Sequence, residues 1–400
     1  LTYLIKVKVR LDANYLKLTN HFFDYFIKPI LTNLPKISVK FGGNYQKMKK
    51  YLFLLALAAI MMTACQQNAQ KSAQSENDAA VITQQDKDLL AQAQLFFKPL
   101  PAAAENPDNM ITEAKVKLGK HLYFDNRLSK DGNQSCNSCH NLNTYGVDNL
   151  PTSPGDNGIS GTRNSPTTFN AALRTAQFWD GRNKDVEEQA GEPVLNPAEM
   201  GMPSEEVVVN RLSAVPMYVT MFAEAFPEES ITITYANMRN AIGAFERTLI
   251  TPTKFDSYLS GDVTALNTQE SQGLKLFIDQ GCIACHTGSL LGGTMLQKFG
   301  LYGDYTQYVH PTVADAGKFN ETKIEADKDM FYVPGLRNVE KTYPYFHNGG
   351  VSNLDEAIQI MGKLQLNKEF EDKQVDDMVA FFTTLTGDIP EEVKVAPAGM

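Results

Sequence analysis

The sequence predicts an all-α protein of two small helical domains in tandem, with few short strands. Three observations predict it. The chain has 400 residues with 43% in the hydrophobic set, enough to bury two cores. Alternating, strand-like patterns are scarce, whereas each half closes on a helical stripe of apolar residues. Each half also carries one Cys-x-x-Cys-His motif: Cys136, Cys139 and His140 in the first, Cys282, Cys285 and His286 in the second.

Residues 1–47 are aromatic and basic without a helical or strand period. They precede a complete export signal and are expected to be a non-native upstream extension, which removes His21 from any functional role. The signal itself spans 48–64: Lys49 and Lys50, an apolar run from Tyr51 to Met62, then small residues before Cys65. The run falls short of the ~20 apolar residues that span a bilayer. A cysteine at the cut predicts a lipoprotein with a lipid anchor at Cys65, and the Gln66-Gln67 that follow favour the outer membrane, facing the periplasm. The alternative is an uncleaved anchor helix. Residues 65–86, rich in Gln, Ala, Ser and Asn, cannot offset their ordering entropy and are expected to be a flexible tether. The first 64 residues hold ten of the 37 Lys+Arg and two of the 46 Asp+Glu, so the remainder carries a formal charge of −17. Such a surface excludes nucleic acid as a partner.

The two motifs carry the chemistry. Thiols one short turn apart can add to the two vinyl groups of a haem, and the histidine that follows places an imidazole under the iron; this is the c-type haem attachment spacing. A redox Cys-x-x-Cys would follow a strand in a βαβ pattern, which is not evident. A zinc site would need the two pairs to combine, yet they lie 143 residues apart. Structural disulfides would leave each histidine a coincidence. Two covalently bound haem c groups are therefore expected. Both motifs follow a similar stretch, Leu118-Gly119-Lys120-His121-Leu122-Tyr123-Phe124-Asp125 and Gly273-Leu274-Lys275-Leu276-Phe277-Ile278-Asp279, so the halves read as repeats.

The closing helices follow. Met238, Ala241, Ile242, Phe245 and Leu249 fall on one face before Pro252; Val375, Met378, Val379, Phe382 and Leu385 do likewise, with Gly387 expected as the C-cap. What fills the sixth iron position separates electron transfer from catalysis. His121, His310 and His347 are candidates, as are Met295, Met330, Met361 and Met378 in the second half. Spacing alone does not choose among them.

From about 110 to 388 the chain resembles the bacterial dihaem cytochrome c peroxidases, the cytochrome c peroxidase/MauG family. The resemblance rests on Arg163-Asn164-Ser165-Pro166-Thr167, Phe178-Trp179-Asp180-Gly181-Arg182, Glu199-Met200, Ala244-Phe245-Glu246-Arg247-Thr248-Leu249, Leu336-Arg337-Asn338 and Tyr343-Pro344-Tyr345-Phe346-His347. It implies two cytochrome c-like haem domains in tandem: an N-terminal peroxidatic domain at 87–252 and a C-terminal electron-transfer domain at 253–388, with 389–400 as a tail packing on the first. It implies reduction of hydrogen peroxide with electrons from a small donor, a c-type cytochrome or a copper protein, and a possible homodimer. His140 corresponds to the proximal ligand of the peroxidatic haem, and His286 with Met361 to the ligands of the electron-transfer haem. Trp179 corresponds to a conduit between the haems, Glu199 to the distal acid–base residue and Gln189 to its polar partner. Asn164, with the carbonyls of Thr342 and Pro344, corresponds to an inter-domain calcium site.

One position departs from the pattern. Many relatives carry a histidine in the loop after the first motif that caps the peroxidatic iron; here Asp156 stands there, and no histidine occurs between His140 and His286. The first iron is therefore expected to be open, or weakly water-bound, even in the fully oxidised protein. A MauG-like enzyme oxidising a partner protein and a pure electron-transfer cytochrome are the alternatives. The former carries tyrosine where Met361 stands; the latter would leave Glu199 and Gln189 without purpose.

Overall fold

Residues 82–311 and 313–399 are described in the computed structural model, so the upstream extension, the export signal, Cys65 and most of the tether fall outside the described residues. Helix is the main regular structure among the described residues. Among the described residues the sheet content is one antiparallel pair, β1 (Leu296–Lys298) and β2 (Met330–Tyr332), with Gln297 opposite Phe331. No helix among them is long and apolar enough to cross a membrane.

The first helix, α1 (Gln84–Phe96), begins at Thr83, whose hydroxyl accepts from the Asp86 amide while the Asp86 carboxylate accepts in return. This reciprocal cap satisfies two otherwise orphaned donors. It also makes residues 84–86 helical, where the composition predicted tether. A second correction concerns partnership. Leu90 and Ala93 of α1, with Phe97 after it, belong to the core of the second half, and the Phe97 ring lies edge-on to Phe255 at 5.7 Å. An amphipathic stripe tells that a helix is buried on one side but not which core it meets.

In the first half come α2 (Glu113–Phe124), α3 (Cys136–Cys139), α4 (Val186–Gln189), α5 (Glu192–Leu195), α6 (Glu205–Ser213), α7 (Pro216–Ala225) and α8 (Tyr235–Glu246). In the second come α9 (Lys254–Leu259), α10 (Thr268–Asp279), α11 (Thr306–Val309), α12 (Phe319–Thr322), α13 (Leu354–Leu366), α14 (Asp372–Thr383) and α15 (Glu391–Lys394). The closing helix α8 stops at Glu246, short of Leu249 and Pro252, though Leu249 is still buried. Helix α14 stops at Thr383, so Gly387 is not its C-cap. Gly387 instead pairs with Thr253, and a Cβ there would lie 2.6 Å from the Pro252 carbonyl oxygen. Beyond it, Ile389 and Val393 join the core of the first half.

The same crossing builds each half. Helix α2 packs on α8, and α10 on α14. A Cβ on Gly119 would meet the Ala241 carbonyl oxygen at 1.9 Å, and one on Gly273 the Asp377 carbonyl oxygen at 1.8 Å. Only glycine allows backbones this close. Replacing either by alanine must part the helices, with an expected cost of about 3 kcal/mol and a thermal midpoint lower by roughly 6–12 °C. Unaltered melting of both variants would show that the crossings are not tight.

The repeat extends into the loops. Asn170 and Asn338 are both left-handed, as are Phe178 and Phe346, eight residues on, and Gly181 and Gly349. The sequences follow one pattern, Pro-x-x-x-Asn, seven residues, then Phe-Trp-Asp-Gly or Phe-His-Asn-Gly. Trp179 and His347 thus occupy equivalent places in the two halves.

Candidate active site

The first motif opens onto a cavity of about 530 Å³ lined by Cys136, Cys139 and His140, and on other sides by Gln189, Glu199, Trp179 and Glu246. The second opens onto one of about 290 Å³ lined by Cys282, Cys285 and His286 with Met361, His347, Phe277 and Phe382. These four cysteines are unpaired thiols. The two motif histidines are held alike. Nδ1 of His140 lies 2.9 Å from the Pro166 carbonyl oxygen, and Nδ1 of His286 lies 2.9 Å from that of Leu291. Such a bond fixes the tautomer and leaves Nε2 as the metal-binding nitrogen. Burial pushes both imidazoles toward the neutral form, the form that ligates. Two thiols, one oriented imidazole and a roomy cavity in each half fit a covalently held haem. No three His, Cys, Asp or Glu converge as a protein-only metal site among the described residues.

Of the sixth-ligand candidates, the second cavity gathers Met361, Met378 and His347, but not Met295, Met330 or His310. Met378 is a buried core residue of α14. Met361 belongs to α13 and lines the same cavity as the second motif. His121 is bonded through Nδ1 to the Lys117 carbonyl within its own helix and lines neither cavity.

Trp179 lines both cavities. Its indole N–H donates to the Asn164 carbonyl (2.9 Å), and the Asn164 amide donates to the His347 carbonyl (2.7 Å). The Trp179 and His347 rings meet edge-on at 6.5 Å. Sequence reading gave Trp179 its place only by resemblance; the two-fold pattern around Phe178 and Phe346 was the missed signal. His347 itself is 2% exposed, and its Nε2 has no hydrogen-bond partner. Its ring stacks on Phe331 at 4.1 Å.

Glu199, which lines the same cavity as the first motif, sits in the turn after α5. Its Oε1 accepts from Asn196 Nδ2 at 2.8 Å, a partner the sequence reading missed although Asn-Pro-Ala-Glu places it three residues earlier. Burial raises the Glu199 pKa above the usual carboxylate range, and the Asn196 bond only partly opposes it. Gln189, the last residue of α4, lines the same cavity. Glu246 was also missed as a site residue: it is buried, and desolvation first, then the nearby Glu187, push its carboxyl up to about 8. Its carboxyl lines the first cavity. Glu187 in turn pairs with Arg247 through two 2.7 Å bonds.

Asp156 does not line the cavity. Asn164, Thr342 and Pro344 do come together, on a third cavity of about 90 Å³ that Trp179 also borders. Asn164 Nδ2 donates to the Leu150 carbonyl at 2.9 Å, which leaves its Oδ1 as a free acceptor in kind.

Comparison with known proteins gives the family. The family described as di-haem cytochrome c peroxidase matches residues 113–264. The chain is 45% identical over 292 residues to cytochrome c551 peroxidase of Nitrosomonas europaea, covering 73% of this chain and 84% of that protein. It is also 45% identical over 310 residues to cytochrome c551 peroxidase of Pseudomonas aeruginosa, covering 77% and 89%. Among solved structures, a MauG-like protein associated with microbial copper homeostasis is similar with a TM-score of 0.66 at 28% identity, covering 75% of this chain and 96% of that one.

Proposed function

The chain belongs to the dihaem cytochrome c peroxidase family, and from that premise we propose how its two cavities divide the reduction of hydrogen peroxide to water. The protein is a peroxidase, an oxidoreductase with peroxide as the acceptor. The first cavity is the peroxide site and the second receives electrons from a small donor protein, a c-type cytochrome or a copper protein. The observation that supports this division is the asymmetry of the linings: Glu199 and Gln189 face the first, and Met361 faces the second. The haem c bound in each cavity supplies an iron that exchanges single electrons and, where one face is open, activates the O–O bond.

The residues supply the rest. His140 and His286, oriented by the carbonyls of Pro166 and Leu291, hold their groups from one side. Glu199, when ionised, accepts a proton from the near peroxide oxygen and returns it to the far one as that oxygen leaves as water. Asn196 keeps the carboxylate aimed, and Gln189 is placed to donate to the substrate. Two electrons and two protons per peroxide then give two waters. Trp179, common to both linings, is the conduit between them. Met361, on the same lining as His286, would supply a thioether ligand to the second haem, and such a ligand raises a haem's potential, which suits an electron store. A tyrosine, as in MauG-type enzymes, would not do this.

The first domain comprises the residues up to 252 that follow α1, with the tail beyond 388; the second comprises 253–388 with α1 added. A calcium ion bridging them at Asn164 Oδ1 and the carbonyls of Thr342 and Pro344 is part of the proposal. All three line one cavity, oxygen ligands suit calcium, and waters would complete its shell. Export to the periplasm with a lipid anchor at Cys65 completes it, on the strength of the signal at 48–64.

With no histidine to cap the first iron, the oxidised enzyme is ready for substrate. Stopped-flow turnover of peroxide with a reduced donor, started from fully oxidised enzyme, is expected to show no lag. A lag abolished by pre-reduction would contradict an open first site.

A further inference from the structure

We propose that Asp156 is a positioning residue that latches its loop to the turn before the first motif and thereby fixes Glu199 over the first cavity. The proposal rests on the reading of Glu199 as the proton-transfer residue. The Asp156 carboxylate accepts from two backbone amides of the preceding turn, Asp131 at 2.5 Å and Asn133 at 3.1 Å. Its own amide donates to the Glu199 carbonyl at 2.7 Å. One residue therefore ties the stretch leading to Cys136 to the residue that faces the substrate.

The surroundings are built for this contact. A Cβ on Gly155 would lie 2.3 Å from the Ala198 carbonyl oxygen, so the loop backbone rests directly on the turn that carries Glu199. Asn157 Nδ2 donates to the Pro197 carbonyl at 3.1 Å, and Gln134 Nε2 to the Pro154 carbonyl at 2.6 Å. The Lys130 amide closes the ring on the Met200 carbonyl at 2.8 Å. Three segments, 130–134, 154–159 and 196–200, are thus knit together at the cavity mouth. A carboxylate is the side chain that can accept from two converging amides at once. These contacts hold the Asp156 carboxylate on the turn before the first motif, off the cavity lining.

The test uses the haem-loaded full chain. In Asp156→Ala, amide exchange at Asp131 and Asn133 is expected to quicken at least about 10-fold, as both lose their acceptor. The kcat for peroxide is expected to fall about 10- to 100-fold, the scale of a catalytic group displaced by about an ångström, with KM changed less than about threefold. Asp156→Asn, which keeps one acceptor oxygen and the same shape, is expected to fall between wild type and alanine in both readouts; it also serves if the alanine variant does not fold. Wild-type exchange and kcat in both variants would overturn the latch. Faster exchange with unchanged kcat would overturn the positioning of Glu199. Glu199→Gln, measured beside them, separates the two levels: full turnover in that variant refutes the acid–base reading itself, whereas its loss alongside normal turnover of the Asp156 variants refutes only the positioning role of Asp156.

Discussion

Glu199→Gln is expected to lower kcat for peroxide by about 10²- to 10⁴-fold, the usual worth of a positioned acid–base group. Glutamine has the shape of glutamate and an oxygen that still accepts from Asn196 Nδ2, so the turn and the cavity persist while the exchangeable proton site is lost. The pH dependence carries a second signature. The first step needs Glu199 ionised, and burial raises its pKa above the ordinary carboxylate range. For the wild type, kcat/KM therefore rises with pH through that raised value and falls below it. In Glu199→Gln this acid limb disappears. A variant with wild-type turnover, or with the limb intact, would remove Glu199 from the chemistry.

Met361→Leu is expected to disable the other half. Leucine fills nearly the same volume against the buried cluster that includes Phe331, Ala357 and Ile360, so the cavity is little disturbed, but the thioether is gone. The second haem should lose its methionine–iron charge-transfer band, and its potential should fall by on the order of 100 mV or more. Donor-driven turnover should collapse, because electrons no longer lodge there, while peroxide binding at the first site is retained. Spectroelectrochemical titration of the two haems checks this. An unchanged second potential would assign the ligand to another residue, with Met378 and His347 the others on that lining.

Much of this site was legible in the sequence because covalent attachment writes itself locally. Two thiols and an imidazole must fall within five residues, and they do so at Cys136–His140 and Cys282–His286. Long helices with clean stripes, such as α8 and α14, were legible for the same reason: their pattern is local and periodic. What was not legible depended on packing between distant segments. Helix α1 carries an apolar face but no mark of which core it joins. Gly387 looked like a helix stop because glycine serves there often, whereas its place is set by the carbonyls of Thr251 and Pro252. Glu246 looked like any charge on a helix, and only the fold turns it into a buried acid beside Cys136. The role of Asp156 could be read as the absence of a histidine, but not as a pair of bonds to Asp131 and Asn133. The equivalence of Trp179 and His347 was present in the sequence as a spacing and became visible once the left-handed residues around both were seen to coincide.

We propose that the two haem sites differ in their sixth position, the first open to peroxide in the resting enzyme and the second closed by Met361. Electron paramagnetic resonance of the fully oxidised, haem-loaded protein tests it most directly. The expected spectrum holds one high-spin ferric signal from the first haem and one low-spin signal from the second, in equal amounts. Two low-spin signals and no high-spin component would contradict the account.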